Sequence, residues 1–210
     1  MNPKEVRPWA ALSWPNRISI LRLLLVPPFV VLLLNQRDWS FARYTALGIF
    51  VLMAMSDLVD GLFARQMNAK TRLGAILDPL ADKSLIICSV VLLSLPHSAV
   101  ENARLDNWVV VAVVGKDLWV VFGFLVIYLV TDRFRIQPTL AGKACTLGQL
   151  LLVGLVLIAP DLNRLLESLG TWLARTMGWL VMIVCVLAVI SYTRLGLSFL
   201  AQEQKPLEDR

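Results

Sequence analysis

The sequence predicts an all-α integral membrane protein with six transmembrane helices and both termini on the cytoplasmic side. Two observations predict the membrane class. Hydrophobic residues make up 58% of the chain and charged residues only 17%, whereas soluble domains have about 45–50% and about 25%, and the mean hydropathy is +0.70. The apolar residues also fall in long runs of the length that spans a bilayer, roughly 20 residues each, without a periodic stripe.

The apolar runs divide the chain into predicted segments. We expect an N-terminal cytoplasmic segment over 1–17, a six-helix domain over 18–200 and a polar C-terminal tail over 201–210. The six predicted helices cover residues 18–35, 41–63, 73–95, 107–130, 143–160 and 172–199. Short connections rich in charged or helix-breaking residues separate them.

The basic residues between the segments predict the orientation. The second and fourth connections contain Arg65, Lys70, Arg72, Arg133, Arg135 and Lys143, while the first, third and fifth pair each arginine with acids. Because lysine and arginine collect in cytoplasmic loops, the even connections and both termini are predicted to be cytoplasmic. We expect the protein in a bacterial inner membrane.

Composition also argues against several other classes of protein. The net charge is +5, but the basic residues form no long cluster, so no nucleic-acid partner is expected. Cys88, Cys145 and Cys185 lie inside apolar segments at no ligand-like spacing, which predicts buried hydrophobic side chains instead of a disulfide framework or a zinc site. His97 is the only histidine and falls in an odd connection, away from the cytoplasmic side.

Acidic residues cluster at the cytoplasmic end of the second segment. At about 100° per residue, Asp60, Gly61, Ala64 and Arg65 all lie within about 80° of Asp57 on one helical face. Two acids, two small residues and one guanidinium therefore share that face.

The third segment continues the acidic pattern. Gly74, Asp78 and Asp82 are spaced i, i+4, i+8 and form a single stripe. Two antiparallel helices joined by a short loop would bring the two stripes together. Converging carboxylates repel one another unless cations are present, and oxygen ligands without cysteine or histidine favour Mg²⁺ or Mn²⁺. The residues alone therefore predict a two-metal phosphoryl-transfer site at the cytoplasmic membrane surface.

The stripes form one long pattern, D-x2-D-G-x2-A-R-x8-G-x3-D-x3-D, from Asp57 to Asp82. This pattern resembles the complete signature of the CDP-alcohol phosphatidyltransferases, with every signature residue present at the family's spacing. The resemblance covers most of the chain. It includes the six segments, a Pro15-Asn16-Arg17-Ile18-Ser19 stretch followed by Arg22, and a later Gly142-Lys143-x2-Thr146-x2-Gln149 stretch.

The resemblance implies a role for each signature residue. Two Mg²⁺ or Mn²⁺ ions would be held by Asp57, Asp60, Asp78 and Asp82. The nucleotide of CDP-diacylglycerol would be bound by Asp57, Gly61, Ala64, Arg65 and Gly74. Asp82 would also be the general base that takes the proton from an acceptor hydroxyl, whose oxygen attacks the β-phosphorus in line while CMP leaves. Homodimers are frequent in the family, so a homodimer is expected.

The acceptor alcohol is the least determined part of the resemblance. Lys143, Arg22 and Thr146 are candidate acceptor-binding residues. The phosphatidylglycerophosphate synthases usually have an Arg-Glu pair in the fourth helix, followed by a second Arg-Glu pair. This chain has Lys116-Asp117 after Gly115 instead, and no second pair. A basic residue followed by aspartate is closer to the Arg-Asp pair that is usual in the CMP-forming cardiolipin synthases. Size and layout favour glycerol 3-phosphate as the acceptor, with phosphatidylglycerol as the alternative and inositol or its phosphate, serine and choline behind them.

A different class of protein also places carboxylates inside a six-helix bundle. A small ion-coupled transporter would have them near the bilayer midplane and would show an inverted repeat. The sequence has neither feature, and a scaffold protein would not need a glycine, an arginine and four acids in one register. The enzyme is therefore the favoured prediction.

Overall fold

The computed structural model of the chain describes residues 14–67, 74–131 and 139–208, with side chains described over 20–56, 83–123 and 139–198. The described residues form six helices. They are α1 (Trp14–Leu34), α2 (Ala42–Met67), α3 (Gly74–Ser94), α4 (Asn107–Thr131), α5 (Leu140–Leu165) and α6 (Leu169–Glu208). The predicted all-helical class with six helices is confirmed.

The helix bounds differ from the predicted segments mainly in α5 and α6. Helix α5 begins at Leu140, before the predicted residue 143, because the Thr139 side chain caps it by accepting a hydrogen bond from the Gly142 backbone N–H at 3.0 Å. Helix α6 continues to Glu208 and so includes most of the segment predicted as a polar tail. Apolar content predicts where a chain can span a membrane, but it does not predict where the helix ends.

The chain divides into two compact units, and the first covers residues 1–100. Helix α1 packs against both α2 and α3 in this unit. Phe29 of α1 meets Phe50 of α2 with ring centroids 6.2 Å apart, and both side chains are buried. The loop after α3 is held by the Ser98 hydroxyl, which donates to the Leu92 carbonyl oxygen at 2.6 Å.

The second unit covers residues 101–210, and in it α6 packs against both α4 and α5. Trp108 of α4 and Trp179 of α6 lie with ring centroids 4.4 Å apart. Helix α6 begins very close to α5, since a Cβ on Gly170 would lie 2.7 Å from the Ala159 Cα. Only glycine fits at that approach.

Large apolar side chains remain exposed on the second unit. Along α6, exposure lies between 43% and 56% for Leu180, Ile183, Leu187 and Ile190. By length and composition alone, α5 and residues 169–198 of α6 qualify as membrane-spanning candidates, and shorter apolar stretches occur in α1, α2 and α3. Within the second unit, the apolar surface of α6 thus extends beyond the part that α4 and α5 cover.

Candidate functional site

The signature residues lie on two helices of the first unit. Helix α2 contains Asp57, Asp60, Gly61, Ala64 and Arg65, and α3 contains Gly74, Asp78 and Asp82. Helix α2 is continuous to Met67, and α3 starts at Gly74. The helical spacing on which the predicted stripes depend is therefore present in the backbone. The side chains of 57–82 lie outside the described residues, so the convergence of the two stripes stays a prediction.

The metal site is likewise still a prediction. Within the part of the chain whose side chains are described, no group of three or more histidine, cysteine, aspartate or glutamate side chains could hold a metal ion. The predicted ligands, Asp57, Asp60, Asp78 and Asp82, all lie outside that part.

Arg22 is the predicted acceptor-binding residue of the first unit. Its side chain is only 2% exposed on α1, the helix that packs against both signature-bearing helices. A buried guanidinium is costly unless its charge is compensated. Burial in this position makes Arg22 a stronger functional candidate than an arginine at the bilayer surface, although its role stays a prediction.

The later motif, Gly142 to Gln149, lies at the start of α5 in the second unit. Lys143 is exposed, and its backbone N–H donates to the Thr139 carbonyl oxygen at 3.1 Å. Thr146 is half-buried, and its hydroxyl donates to the Gly142 carbonyl oxygen at 3.2 Å. That hydroxyl proton is therefore engaged by its own helix, which leaves the oxygen as an acceptor. Acceptor binding by Lys143, Thr146 and Arg22 stays a prediction.

The packing of α5 against α6 explains the glycine at position 142, and the sequence did not predict this contact. The Tyr192 ring of α6 lies where a side chain on Gly142 would stand, and a Cβ there would be 3.0 Å from Tyr192 Cζ. Tyr192 was missed by sequence reasoning, because a single tyrosine in a long apolar helix has no local signal for a partner on another helix.

Lys116 and Asp117, which stand in place of the Arg-Glu pair of the phosphatidylglycerophosphate synthases, form a buried ion pair. Lys116 Nζ lies 2.7 Å from Asp117 Oδ1, and the two side chains are only 4% and 10% exposed. Removing two charges from water is expensive, and their attraction must offset that cost. Charged residues inside an apolar run are functional candidates by default, and this signal was available from the sequence.

Two cysteines and a glutamine form a second polar group in this unit. Cys145 Sγ of α5 lies 3.0 Å from Cys185 Sγ of α6. Gln149 is fully buried and donates through Nε2 to Cys185 Sγ at 3.7 Å, while its Oε1 has no hydrogen-bond partner among the described residues. The predicted burial is confirmed for Cys145 and Cys185, whereas Cys88 is half-buried.

Comparison with known proteins covers most of the chain. Residues 12–191 match the sequence model of the CDP-alcohol phosphatidyltransferase family. A relative from Aquifex aeolicus named CDP-diacylglycerol–glycerol-3-phosphate 3-phosphatidyltransferase is 30% identical over 192 residues, which is 90% of this chain and 98% of that protein.

Of two further relatives, one has the same name as the Aquifex protein and the other a different name. A Bacillus subtilis protein with the same name as the Aquifex protein is 27% identical over 154 residues, or 69% of this chain and 76% of its own. A cardiolipin synthase (CMP-forming) from Rattus norvegicus is 34% identical over 172 residues, covering 74% of this chain and 52% of that protein. The chain belongs to the CDP-alcohol phosphatidyltransferase family.

Proposed function

We propose that the protein transfers the phosphatidyl group of CDP-diacylglycerol to glycerol 3-phosphate, giving phosphatidylglycerophosphate and CMP. The observation that carries the proposal is the complete family signature on α2 and α3, within a family match that spans residues 12–191. The acceptor is supported by the Aquifex and Bacillus relatives, whose names specify glycerol 3-phosphate. Family membership also favours the enzyme over the transporter.

The signature fits a divalent metal site by the chemistry of its donors. It offers four carboxylates and no sulfur or imidazole, and such donors suit Mg²⁺ and Mn²⁺. Asp57, Asp60, Asp78 and Asp82 would hold two such ions. When bound, the ions would supply neutralisation of the diphosphate charge.

The chain's other residues bind and position the substrates. Gly61 and Ala64 leave space for the nucleotide beside the α2 backbone, and the planar Arg65 guanidinium binds a phosphate through paired hydrogen bonds. Asp82 accepts the proton of the acceptor hydroxyl, and the freed oxygen forms a bond to the β-phosphorus as the bond to CMP breaks. Alignment of the reacting groups provides much of the rate acceleration in such transfers.

The acidic acceptor requires cationic residues of its own. Lys143 is exposed at the start of α5 and Arg22 is buried on α1, and both cations suit the phosphate of glycerol 3-phosphate. Thr146 offers a hydroxyl oxygen one helical turn from Lys143. Acceptor binding by these three residues is proposed on the family resemblance alone.

A membrane location accounts for the exposed apolar surface of α6. Contiguous exposed apolar residues on a helix indicate contact with lipid or with another chain, and α5 and α6 have the required length. We place the protein in a bacterial inner membrane with its signature on the cytoplasmic side, following the basic connections. A C-terminal fusion tests the orientation: green fluorescent protein should fluoresce, and alkaline phosphatase at the same position should be inactive.

A homodimer is also proposed, on the family resemblance alone. Light scattering on the detergent-solubilised protein, corrected for bound detergent, should give twice the 23.4 kDa chain mass. A single-chain mass in both detergent and lipid nanodiscs would refute the dimer without affecting the proposed reaction.

Phosphatidylglycerol is the second candidate acceptor, which would make the product cardiolipin. Two observations favour it: the rat relative's name, and the Lys116-Asp117 pair in place of the synthase pattern. Purified protein with CDP-diacylglycerol and Mg²⁺ should be offered each acceptor separately, and the lipid product identified by mass spectrometry. Phosphatidylglycerophosphate from glycerol 3-phosphate supports the first proposal. Cardiolipin formation without it would transfer the assignment to the second.

A further inference from the structure

The contact between Cys145 and Cys185 is closer than ordinary packing. Their sulfurs are 3.0 Å apart, whereas even the smaller carbon atoms prefer separations of about 3.5–4.0 Å. A disulfide bond requires an S–S distance of about 2.05 Å. Closing the remaining gap of about an ångström is within the reach of a small rotation about each Cα–Cβ bond.

The two helices hold this pair from both sides. Gly142 of α5 lies against Tyr192 of α6, and Gly148 lies against Val181, with a built Cβ 3.4 Å from Val181 Cγ2. These contacts run in opposite directions along the two helices, so α5 and α6 are antiparallel here and the cysteine pair lies between them. The register that brings the sulfurs together therefore does not depend on the cysteines.

The surroundings also favour reaction between these two thiols over reaction with other molecules. Both cysteines are fully buried, so neither is open to a second protein molecule. Two groups held in contact react as though at very high concentration.

We infer that Cys145 and Cys185 are a reversible disulfide site that links α5 to α6. Molecular oxygen, which dissolves readily in the apolar bilayer, is the oxidant. Each pair of thiols loses two protons and two electrons as the S–S bond forms, and each dioxygen molecule that oxidises two such pairs is reduced to two water molecules. Reduction by a dithiol returns both thiols. The linked helix α5 also contains Lys143 and Thr146, so oxidation would fix the acceptor-binding segment against α6.

The test uses the full-length protein in lipid nanodiscs, reduced and then exposed to air with copper–phenanthroline as the electron carrier. After denaturation without reductant, the thiols that react with N-ethylmaleimide should fall from three per chain to one, Cys88. Mass spectrometry of the unreduced digest should find the peptides of Cys145 and Cys185 joined. Three remaining thiols, or a disulfide that includes Cys88, would overturn the inference.

Matched serine variants identify the partners. After oxidation, Cys88→Ser should have no reactive thiol left, while Cys145→Ser and Cys185→Ser should each keep both remaining thiols. A Cys145→Ser or Cys185→Ser protein that still loses two thiols would contradict the assigned pair. The peptide mapping of the unsubstituted protein decides the question even where a variant folds poorly. All of these readouts are independent of enzymatic activity, so they stand apart from the proposed function.

Discussion

The ring of Tyr192 on α6 fills the space beside Gly142 on α5, so that a Cβ at position 142 would come within 3.0 Å of Tyr192 Cζ and 3.1 Å of Cε2. The glycine of the Gly142-to-Gln149 motif is thereby explained by packing between two helices. Whatever Lys143 and Thr146 do, their positions depend on how closely α5 approaches α6 at this point.

Gly142→Ala should therefore destabilise the protein. The added methyl group forces the Tyr192 ring or the helix to move, and overpacking of this kind costs about 1–3 kcal/mol. Thermal unfolding in detergent should show a lower Tm. Gly123→Ala is the matched control on α4, because nothing lies within 4 Å of its added Cβ, and replacing a helical glycine there should leave the Tm unchanged or raise it. An equal fall in both variants would contradict the packing explanation.

Asp117→Leu should be more damaging than removal of the whole ion pair. It leaves the Lys116 ammonium buried without the carboxylate that lies 2.7 Å away, a situation that costs about 3–5 kcal/mol. The double variant Lys116→Met with Asp117→Leu removes both charges and should recover much of the lost stability. The free energy of unfolding in a denaturant titration measures both. A double variant less stable than Asp117→Leu would show that the pair has some other structural partner.

Asp82→Asn should abolish turnover while leaving nucleotide binding largely intact. The amide cannot accept the hydroxyl proton, and loss of a general base lowers kcat by about 10²–10⁴-fold. Steady-state CMP release and calorimetric binding of a CDP-lipid analogue separate the two effects. Asp106→Asn, at an exposed residue before α4, is the control and should keep normal turnover. Normal turnover by Asp82→Asn would remove it from the role of base.

Lys143→Ala should weaken the use of glycerol 3-phosphate specifically. Loss of one cation that contacts the acceptor phosphate should raise KM for glycerol 3-phosphate by about 10- to 100-fold, since charge-assisted hydrogen bonds contribute about 1.5–3 kcal/mol, while KM for CDP-diacylglycerol stays constant. Arg175→Ala removes another exposed cation, on α6, and should change neither value. If both variants behave alike, Lys143 acts only through general surface charge.

The sequence predicted the helices well because apolar run length determines where a chain can cross a bilayer. It also predicted the placement of Asp57 and Asp82 on separate helices, since a short charged connection separates the two apolar runs. It could not predict the contacts of Tyr192, Cys145 or Cys185. Those contacts depend on the register of α5 against α6, which the local sequence of neither helix specifies.

The early start of α5 had a signal in the sequence but was not predicted. Thr139 is a favourable N-cap residue, and its side chain accepts from the Gly142 N–H. The signal was present in the sequence, but apolar run length placed the start at 143. Capping and membrane-spanning length are separate constraints. The cap at Thr139 sets the start of α5, which lies before the start of the apolar run.

The clustered aspartates are proposed to bind divalent cations and a CDP-linked lipid for phosphatidyl transfer. The most direct measurement is CMP release by the purified protein from CDP-diacylglycerol and glycerol 3-phosphate, with EDTA, with restored Mg²⁺ or Mn²⁺, and in Asp57→Ala. We expect no release with EDTA, full recovery with either metal, and little release from the variant at any metal concentration. Undiminished release in EDTA, or wild-type rates in Asp57→Ala, would contradict the account.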